Sequence, residues 1–159
     1  MANDIAAQEA ASGFDVLMGG GRKFWKGDRL VNRSEMMAAV RSKNTKPEML
    51  VRRLLHGYGY RYRLHRADLP GRPDLVFPAR KKIIFVHGCF WHRHPRCPFS
   101  HVPKSNVAYW APKLRKNKAR DRRHLKALQL AGWRCLVLWE CELGNPKRIL
   151  NRARKFLGP

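Results

Sequence analysis

The residues best suited to chemistry lie together in FVHGCFWHRHPRC, residues 85–97. This stretch holds three histidines, two cysteines, two arginines and the adjacent aromatic residues Phe90 and Trp91. Thiolate and imidazole groups bind metal ions, and imidazole also exchanges protons near neutral pH. Bulky aromatic side chains can wedge between stacked bases. The stretch therefore predicts metal binding, catalysis and base contact, each carried by different residues.

The cysteines predict a structural metal site. Cys89, His94 and Cys97 have the spacing C-x4-H-x2-C, which is short enough for all three to bind one ion. A structural zinc normally takes four ligands, so the fourth must come from elsewhere. Cys135 lies inside the apolar run RCLVLW, where a buried thiol is the natural interpretation, whereas Cys141 follows the end of that run. We expect Cys141 to be the fourth ligand. The alternative is that all the cysteines are reduced and unligated.

A carboxylate beside this stretch indicates nuclease chemistry. Asp74 follows Pro73 at the start of a predicted strand, and another strand comes shortly afterwards. PD-(D/E)xK nucleases have this layout, with two acidic groups on Mg²⁺ and a lysine that assists the attacking water. The second acidic group is missing here, because no Asp or Glu lies between Asp74 and Asp121. A lone Pro-Asp pair is also typical of an aspartate that caps a turn.

Two histidines of the stretch are left for catalysis if the metal takes His94. An imidazole with an ordinary pKa of ~6.5 can accept or donate a proton at neutral pH. His92 is therefore a candidate general base for water, or a proton shuttle at the leaving oxygen. His87, at the end of its predicted strand, is a candidate contact of the scissile phosphate. Either residue taken alone is also consistent with a surface histidine.

Phe90 and Trp91 stand between these polar groups, on a loop that begins with glycine. Inserted between base steps, they would offset an unstacking cost of about a few kcal/mol by new stacking contacts. A metal-braced loop would be stiff enough for that task. The alternative is that both rings pack into a minor core beneath the loop.

The charge of the whole chain predicts a polyanionic partner. Its 159 residues are enough for one domain, and 34 Lys and Arg against 11 Asp and Glu give a net charge of +23. Nucleic acid is favoured over an acidic membrane surface, and a merely solvated basic face is the alternative. No apolar run approaches the ~20 residues of a membrane span, and the N-terminus lacks a signal peptide. We expect a cytosolic protein with reduced cysteines.

The order of predicted elements indicates an α/β sandwich around a small mixed sheet. Residues 1–33 look like an N-terminal extension, flexible or DNA-contacting, and the folded domain is expected over 34–159. A short helix is predicted from Ser34, and a second one where Thr45 and Glu48 have capping-box spacing. The remaining elements are expected as strands at 60–64, 74–77, 82–86 and 134–139, with helices near 109–130 and from 146 onward.

Four segments closely resemble the very short patch repair (Vsr) mismatch endonucleases: LPGRPD (69–74), IFVHGCFWH (84–92), RKNKARDRRH (115–124) and GWRCLVLWEC (132–141). The resemblance covers roughly residues 34–145 in the same order, and HGCFWH together with WEC is highly specific. It implies a PD-(D/E)xK restriction-endonuclease-like fold, a three-layer sandwich with a structural zinc. The implied activity is Mg²⁺-dependent nicking of one DNA strand, 5′ of the thymine in a T·G mismatch left by deamination of 5-methylcytosine.

The resemblance also assigns roles to residues of the active centre. Asp74 is implied to hold Mg²⁺ together with the backbone carbonyl of Val86, which explains how a carboxylate-poor site could bind the ion. His92 is implied to be the catalytic base, with His87 beside the phosphate. Glu48 matches a glutamate that supports the active-site histidine, a role that can coexist with the capping box.

The remaining roles concern zinc and DNA. Cys89, His94, Cys97 and Cys141 match the zinc ligands, and Phe90 and Trp91 match the intercalating aromatics. Met37 falls where an apolar side chain enters from the other groove, and Asp121 resembles an acidic residue near the active centre. This sequence departs from the family in three ways: Val86 stands where some members have threonine, Pro95-Arg96 lengthens the metal loop, and the leader is long.

The resemblance further implies a monomer that works in the cytoplasm at the nucleoid. It implies a functional link to a cytosine-5 methyltransferase and to mismatch-repair proteins. Two other functions stay open at this stage. One is a restriction-type enzyme of the same fold that cuts both strands of paired DNA, and the other is a zinc-braced DNA-binding module without catalysis.

Overall fold

The computed structural model describes residues 43–104 and 106–159, together with the backbone of two short strands near the N-terminus. Those strands, β1 (Phe24–Lys26) and β2 (Arg29–Val31), pair antiparallel. They belong to a different compact unit from residues 43–102 and 108–159. The helix predicted from Ser34, and Met37 within it, lie outside the described residues. The boundary between residues 33 and 34 also stays a prediction.

The larger unit contains a four-stranded mixed sheet. Its elements in chain order are α1 (Lys46–Gly57), β3 (Arg63–Leu64), β4 (Leu75–Phe77), β5 (Lys82–His87), α2 (Val107–Leu130), β6 (Arg134–Trp139) and α3 (Pro146–Leu157). The strand order is β3-β4-β5-β6, with β5 and β6 parallel and the other neighbours antiparallel. Parallel neighbours need a long crossover, which α2 supplies. The small mixed sheet flanked by helices confirms that part of the predicted fold.

Helices cover both faces of this sheet. On one face, Val51 and Leu55 of α1 and Ile149 and Leu157 of α3 form a fully buried core with strand residues such as Ile84. On the other face, Leu128 of α2 packs with the alternate strand residues Val76, Ile83 and Phe85. Because successive side chains of a strand point to opposite faces of the sheet, the apolar residues of one strand contribute alternately to these two cores. Among the described residues, no helix is long and apolar enough to cross a membrane.

Local signals account for most of the element boundaries. Thr45 and Glu48 form the reciprocal capping box at the start of α1, and the Asn145 side chain accepts a hydrogen bond from Arg148 N at 3.0 Å, at the start of α3. The predicted strand over 60–64 was too long, since β3 comprises only two residues. Tyr60 leaves the ladder because its ring enters the core and its hydroxyl donates to Gly158 O at 2.7 Å.

Candidate functional site

Asp74 lies where strand β5 extends beyond its partner β4. The last register pair of these strands is Leu75 with Ile84, whereas β5 continues to His87 against β6. Val86 N–H, which has no ladder partner on the β4 side, donates to Asp74 Oδ2 at 2.7 Å. Burial raises the pKa of Asp74 to about 6 from its ordinary 3.8, and the hydrogen bond from Val86 opposes that shift. The main-chain hydrogen bond thus fixes the carboxylate at the edge of β5 that is left open where this strand extends beyond β4.

The same edge carries oxygen atoms that suit Mg²⁺. The N–H and C=O of one extended residue point to the same side of the strand, so the carbonyl of Val86 faces the side on which Asp74 lies. The other carboxylate oxygen, Asp74 Oδ1, accepts no hydrogen bond from the described residues. Mg²⁺ prefers carboxylate and carbonyl oxygen ligands and keeps several waters. The predicted pair, Asp74 with the Val86 carbonyl, therefore fits that ion chemically.

Two histidines and an aspartate meet beside this edge. The rings of His87 and His92 stack with centroids 3.8 Å apart, and His92 Nδ1 lies 2.6 Å from Asp121 Oδ2. Burial would raise the pKa of Asp121, but the hydrogen bond to His92 and the nearby positive charges hold it below its ordinary value. Asp121, on α2, thus stays ionised and orients the imidazole of His92.

His87 lies at the end of β5 and is buried, with 8% of its surface exposed. Burial lowers the pKa of His87 to about 3, so this imidazole is neutral at physiological pH. Phe85 on the same strand and Trp139 on β6 contact the ring of His87. A neutral ring in this place can donate or accept one hydrogen bond at a phosphate but carries no charge.

Glu48 has more partners than its capping role requires. One carboxylate oxygen, Oε2, accepts from Thr45 N at 3.3 Å, while Oε1 pairs with Arg52 and lies 3.1 Å from His65 Nε2. The histidine that Glu48 contacts is therefore His65, whereas His92 is paired with Asp121. Suitable atoms of Glu48, His65 and Asp74 all lie within 4.8 Å of one another, so Glu48 does border the centre.

Sequence reasoning missed two residues that contact Glu48, namely Arg52 and His65. Arg52 stands one helical turn after Glu48, the i, i+4 spacing of an ion pair, so its contact could have been found. His65 lies after β3 with a left-handed φ of 46°, and no sequence pattern marks it. A loop conformation of that kind is visible only in three dimensions.

The structure brings all four predicted zinc ligands together. Suitable atoms of Cys89, His94, Cys97 and Cys141 lie within 4.8 Å of one another. His94 Nδ1 is 3.6 Å from Cys89 Sγ and 3.4 Å from Cys141 Sγ. Cys135 instead lies in β6, packed against the core under α2. Three sulfurs and one imidazole nitrogen form a donor set that fits tetrahedral zinc.

The loop between these ligands is tightly bonded. Hydrogen bonds run from His94 N to Cys89 O at 3.0 Å and from Ser100 Oγ to His94 O at 2.7 Å. The ring of His94 stacks on Trp139, with centroids 4.2 Å apart. Arg93 and Arg96 adopt left-handed φ values of 54° and 56°, which fold the loop back on itself. The added Pro95-Arg96 is therefore accommodated with the four ligands still together.

Phe90 and Trp91 are both half-buried and rest on helix α2. Their ring centroids lie 5.4 Å and 6.0 Å from that of Trp110, which is 4% exposed. Asn117 of the same helix donates from Nδ2 to Trp91 O at 3.4 Å. The core packing that was the alternative to base insertion is thus present in part, while each ring keeps an accessible portion.

Helix α2 presents a strongly basic surface next to this centre. Its only acidic residue is Asp121, which faces His92. Its exposed basic residues are Arg115, Lys116, Lys118, Arg120, Arg122, Arg123 and Lys126. Such a helix provides a favourable field for a polyanion.

Fold and site together define an α/β protein with a carboxylate–histidine centre, a four-ligand cysteine–histidine cluster and a basic helix. A family model described as DNA mismatch endonuclease Vsr matches residues 24–97. The type II nicking enzyme V.XorIIP of Xanthomonas oryzae pv. oryzae is 54% identical over 127 residues, 80% of this chain and 93% of that protein. The DNA mismatch endonuclease Vsr of Escherichia coli K12 is 41% identical over 121 residues, 76% of this chain and 77% of that protein.

A third relative, the type II nicking enzyme V.NmeAIP of Neisseria meningitidis serogroup A, is 44% identical over 125 residues, 79% of this chain and 89% of that protein. The chain belongs to the Vsr family of DNA mismatch endonucleases, as the four quoted segments predicted. It is accordingly an enzyme, an endonuclease that acts on DNA. The family implies a nuclease fold for the observed α/β architecture.

Proposed function

We propose that this endonuclease nicks one strand of DNA, 5′ of the thymine in a T·G mismatch, in a Mg²⁺-dependent reaction that starts very short patch repair. The observation that carries the proposal is the carboxylate of Asp74 at the sheet edge beside the His92–Asp121 pair. The name of the Escherichia coli relative supports action at mismatches. The names of the Xanthomonas and Neisseria relatives support cutting of a single strand.

Asp74 and the backbone carbonyl of Val86 would hold the Mg²⁺ ion. When bound, such an ion neutralises phosphate charge and lowers the pKa of its water. Asp74 is already oriented for this task by the amide of Val86. Because the second ligand is a main-chain oxygen, valine in place of the threonine of some family members leaves the ligand set unchanged.

His92 is proposed as the general base. Asp121 faces its Nδ1, which favours the tautomer with the proton on that nitrogen and leaves Nε2 free to accept a proton from water. His87, neutral and stacked on His92, is proposed to contact the phosphate or its leaving oxygen. Glu48, which has an oxygen within 4.8 Å of Asp74, supports the centre from helix α1 while it caps that helix.

The cysteine–histidine cluster is proposed to hold one structural Zn²⁺. Burial raises the pKa of Cys89 to about 12, and a bound cation is what favours the thiolate form of such a group. The ion would brace the loop that carries Phe90 and Trp91, which enter the base stack at the mismatch. Met37, outside the described residues, is proposed to insert from the opposite groove.

The cellular setting is proposed on the same basis. A single mismatch needs a single active centre, which suits a monomer acting in the cytoplasm at the nucleoid. The source of T·G mismatches links the enzyme to a cytosine-5 methyltransferase and to mismatch-repair proteins. Residues 1–33 are proposed as an extension that is flexible or contacts DNA, preceding an endonuclease domain over 34–159.

The test is cleavage of matched substrates by the zinc-loaded protein with Mg²⁺. The duplexes carry T·G, T·A or C·G at one position, and each is labelled on one strand or on the other. A labelled single strand is tested beside them. We expect one nick, 5′ of the mispaired thymine, with a 5′-phosphate. Cutting of both strands of paired duplex would identify a restriction-type enzyme, and binding without cleavage would identify a DNA-binding module.

Asp74→Ala serves as the matched variant in this assay. It should abolish cleavage while leaving the affinity for T·G duplex nearly intact, because the carboxylate binds the Mg²⁺ ion and does not contact the DNA groove. Mg²⁺-dependent nicking by this variant would refute the role given to Asp74.

A further inference from the structure

A group of basic side chains lies at the end of the sheet opposite the carboxylate–histidine centre. Strand β5 ends with His87 beside that centre, whereas its first residue, Lys82, pairs with Arg134 where the parallel strand β6 begins. At a rise of about 3.3 Å per residue, the two ends of β5 are roughly 17 Å apart. Four cationic residues at the strand starts form what we call the distal basic patch: Arg80, Lys81, Lys82 and Arg134.

Two of these cations share one acceptor at the end of helix α3. Lys82 Nζ donates to Leu157 O at 2.9 Å, and Arg80 Nη1 donates to the same oxygen at 3.1 Å. The negative end of the helix dipole favours cations in this position. An ammonium has three donors and a guanidinium five, so both groups keep donors that this oxygen does not use. Capping therefore explains why they lie here and leaves them able to bind an anion.

The other two cations of the patch lie over aromatic rings. Lys81 Nζ is 5.0 Å from the ring centroid of Trp133, and the guanidinium carbon of Arg134 is 5.8 Å from that of Phe156. Attraction to the face of a ring positions a cation without occupying all of its N–H donors. Lys81 and Arg134 are both exposed. Their charged groups are thus positioned by the rings and still accessible to a partner.

The backbone of Lys81 indicates a use for its side chain. This residue has a left-handed φ of 50° and a ψ of 41°, a conformation in which Gly or Asn is usual. The surrounding structure fixes that conformation, because Lys81 N donates to Pro78 O at 3.1 Å and Lys81 O accepts from Arg134 N at 2.9 Å. Strain of this kind is concentrated at functional positions.

No acidic side chain balances the distal basic patch. The sequence has no Asp or Glu in residues 75–120, 122–139 or 143–159, which include all the strands and helix ends that form the patch. None of the ion pairs among the described residues includes a patch residue. Like charges held close together repel, which opposes folding, and an anionic partner removes that repulsion. The patch therefore fits a polyanion.

We propose that the distal basic patch binds the phosphate backbone of a second DNA duplex while the carboxylate–histidine centre holds the first. Duplex DNA is favoured among polyanions because this enzyme acts on DNA and because the phosphates of a duplex repeat at close spacing. The patch and the centre lie at opposite ends of the same two strands, so they face different segments. The enzyme then passes from one segment to another without release into solvent. The inference goes beyond the proposed function, because it does not depend on which bond is cut.

The experiment measures whether one chain holds two duplexes. The full chain, loaded with zinc and without added Mg²⁺, is saturated with a T·G duplex that carries a donor dye. A paired duplex that carries an acceptor dye is then added at several salt concentrations. We expect energy transfer between the dyes, and native mass spectrometry should find two duplexes on one chain.

Lys81→Asn/Arg134→Gln is the test variant, since asparagine tolerates the left-handed backbone at position 81. It should lower the affinity for the second duplex several-fold. The slope of log affinity against log salt should fall by about 2, one for each lost phosphate contact. Lys147→Gln/Arg148→Gln, which removes the same charge from the exposed start of α3, is the control and should still bind two duplexes.

Several results would overturn the inference. A single unaltered chain that binds only one duplex at saturation would do so, and this measurement needs no variant to fold. Two duplexes found only on protein dimers would do so as well. A test variant that is folded by circular dichroism and binds the second duplex as before would remove the patch from the interface. Equal losses for the first and second duplexes would mean that one duplex spans both surfaces. Preferential binding of phosphatidylglycerol vesicles at the patch would identify a membrane surface instead.

Discussion

At the scale of single residues, Asp121 decides what His92 can do. The carboxylate lies 2.6 Å from Nδ1 and is half-buried on α2, so it fixes one ring orientation and one tautomer. Without that partner, His92 could rotate or expose the wrong nitrogen to the attacking water. The stacking on His87 would constrain the plane of the ring but not its tautomer.

Asp121→Asn should therefore lower kcat for nicking by roughly 10²–10⁴-fold, the usual contribution of an oriented acid–base group. The KM for mismatched duplex should change little, because Asp121 faces His92 rather than the exterior. Single-turnover kinetics on T·G duplex would measure this. Gln129→Ala, an exposed uncharged position of the same helix, is the control. A kcat within a few-fold of the unaltered enzyme would contradict the orienting role.

Trp91 allows a second prediction at this scale. Trp91→Ala should weaken binding to T·G duplex by about 1–3 kcal/mol, the typical value of one stacking contact, and weaken binding to paired duplex less. Fluorescence anisotropy with both duplexes measures the difference. Tyr58→Ala, at an aromatic residue that is 58% exposed after α1, should affect neither. Equal losses on the two duplexes would argue that Trp91 serves only to pack against Trp110.

At the scale of elements, the cysteine–histidine cluster joins the loop after β5 to the turn after β6. Mass spectrometry under native conditions should find one zinc per chain. Cys141→Ser should lose that zinc and reduce the free energy of unfolding by several kcal/mol, since binding of a structural ion contributes directly to folding. Cys135→Ser should keep the zinc. A stable protein without zinc would end this proposal.

The loop before Asp74 is held against α2 by a close approach at Gly71. Gly71 has a φ of +78°, and a Cβ there would lie 2.9 Å from His124 Nδ1. Gly71→Ala should reduce the free energy of unfolding by roughly 2 kcal/mol, through backbone strain and overpacking. Urea denaturation would measure the loss. Gly57→Ala, where the added methyl group meets nothing within 4 Å, is the control and should not destabilise the protein.

Elements with local signals were predictable from the sequence. The capping box of α1, the Asn-Pro start of α3 and the β6 run each depend on nearby residues, and all three are observed. Tyr60 shows where this fails, since its position depends on Gly158 at the other end of the chain. His65 was missed for the same reason, since it meets Glu48 and Arg52 only through tertiary packing.

At the scale of the whole molecule, charge dominates. A net charge of +23, with a basic helix beside the active centre, predicts that binding depends on counterion release. Affinity for T·G duplex should fall by about 10³–10⁵-fold between 50 and 200 mM salt, the range expected for ~6–10 neutralised phosphates. Titrations at several salt concentrations test this. A shallow dependence would mean that base contacts outweigh phosphate contacts.

The hydrogen bond from the Val86 amide to Asp74 has a consequence for how such an enzyme can change over generations. A main-chain group is common to every residue type but proline, so drift at position 86 can exchange one side chain for another without disturbing the carboxylate. We therefore expect relatives to differ at that position among side chains that fit against the core, with proline excluded. The main-chain N–H that holds the aspartate is therefore passed on with the backbone, and no particular residue type in the sequence marks it.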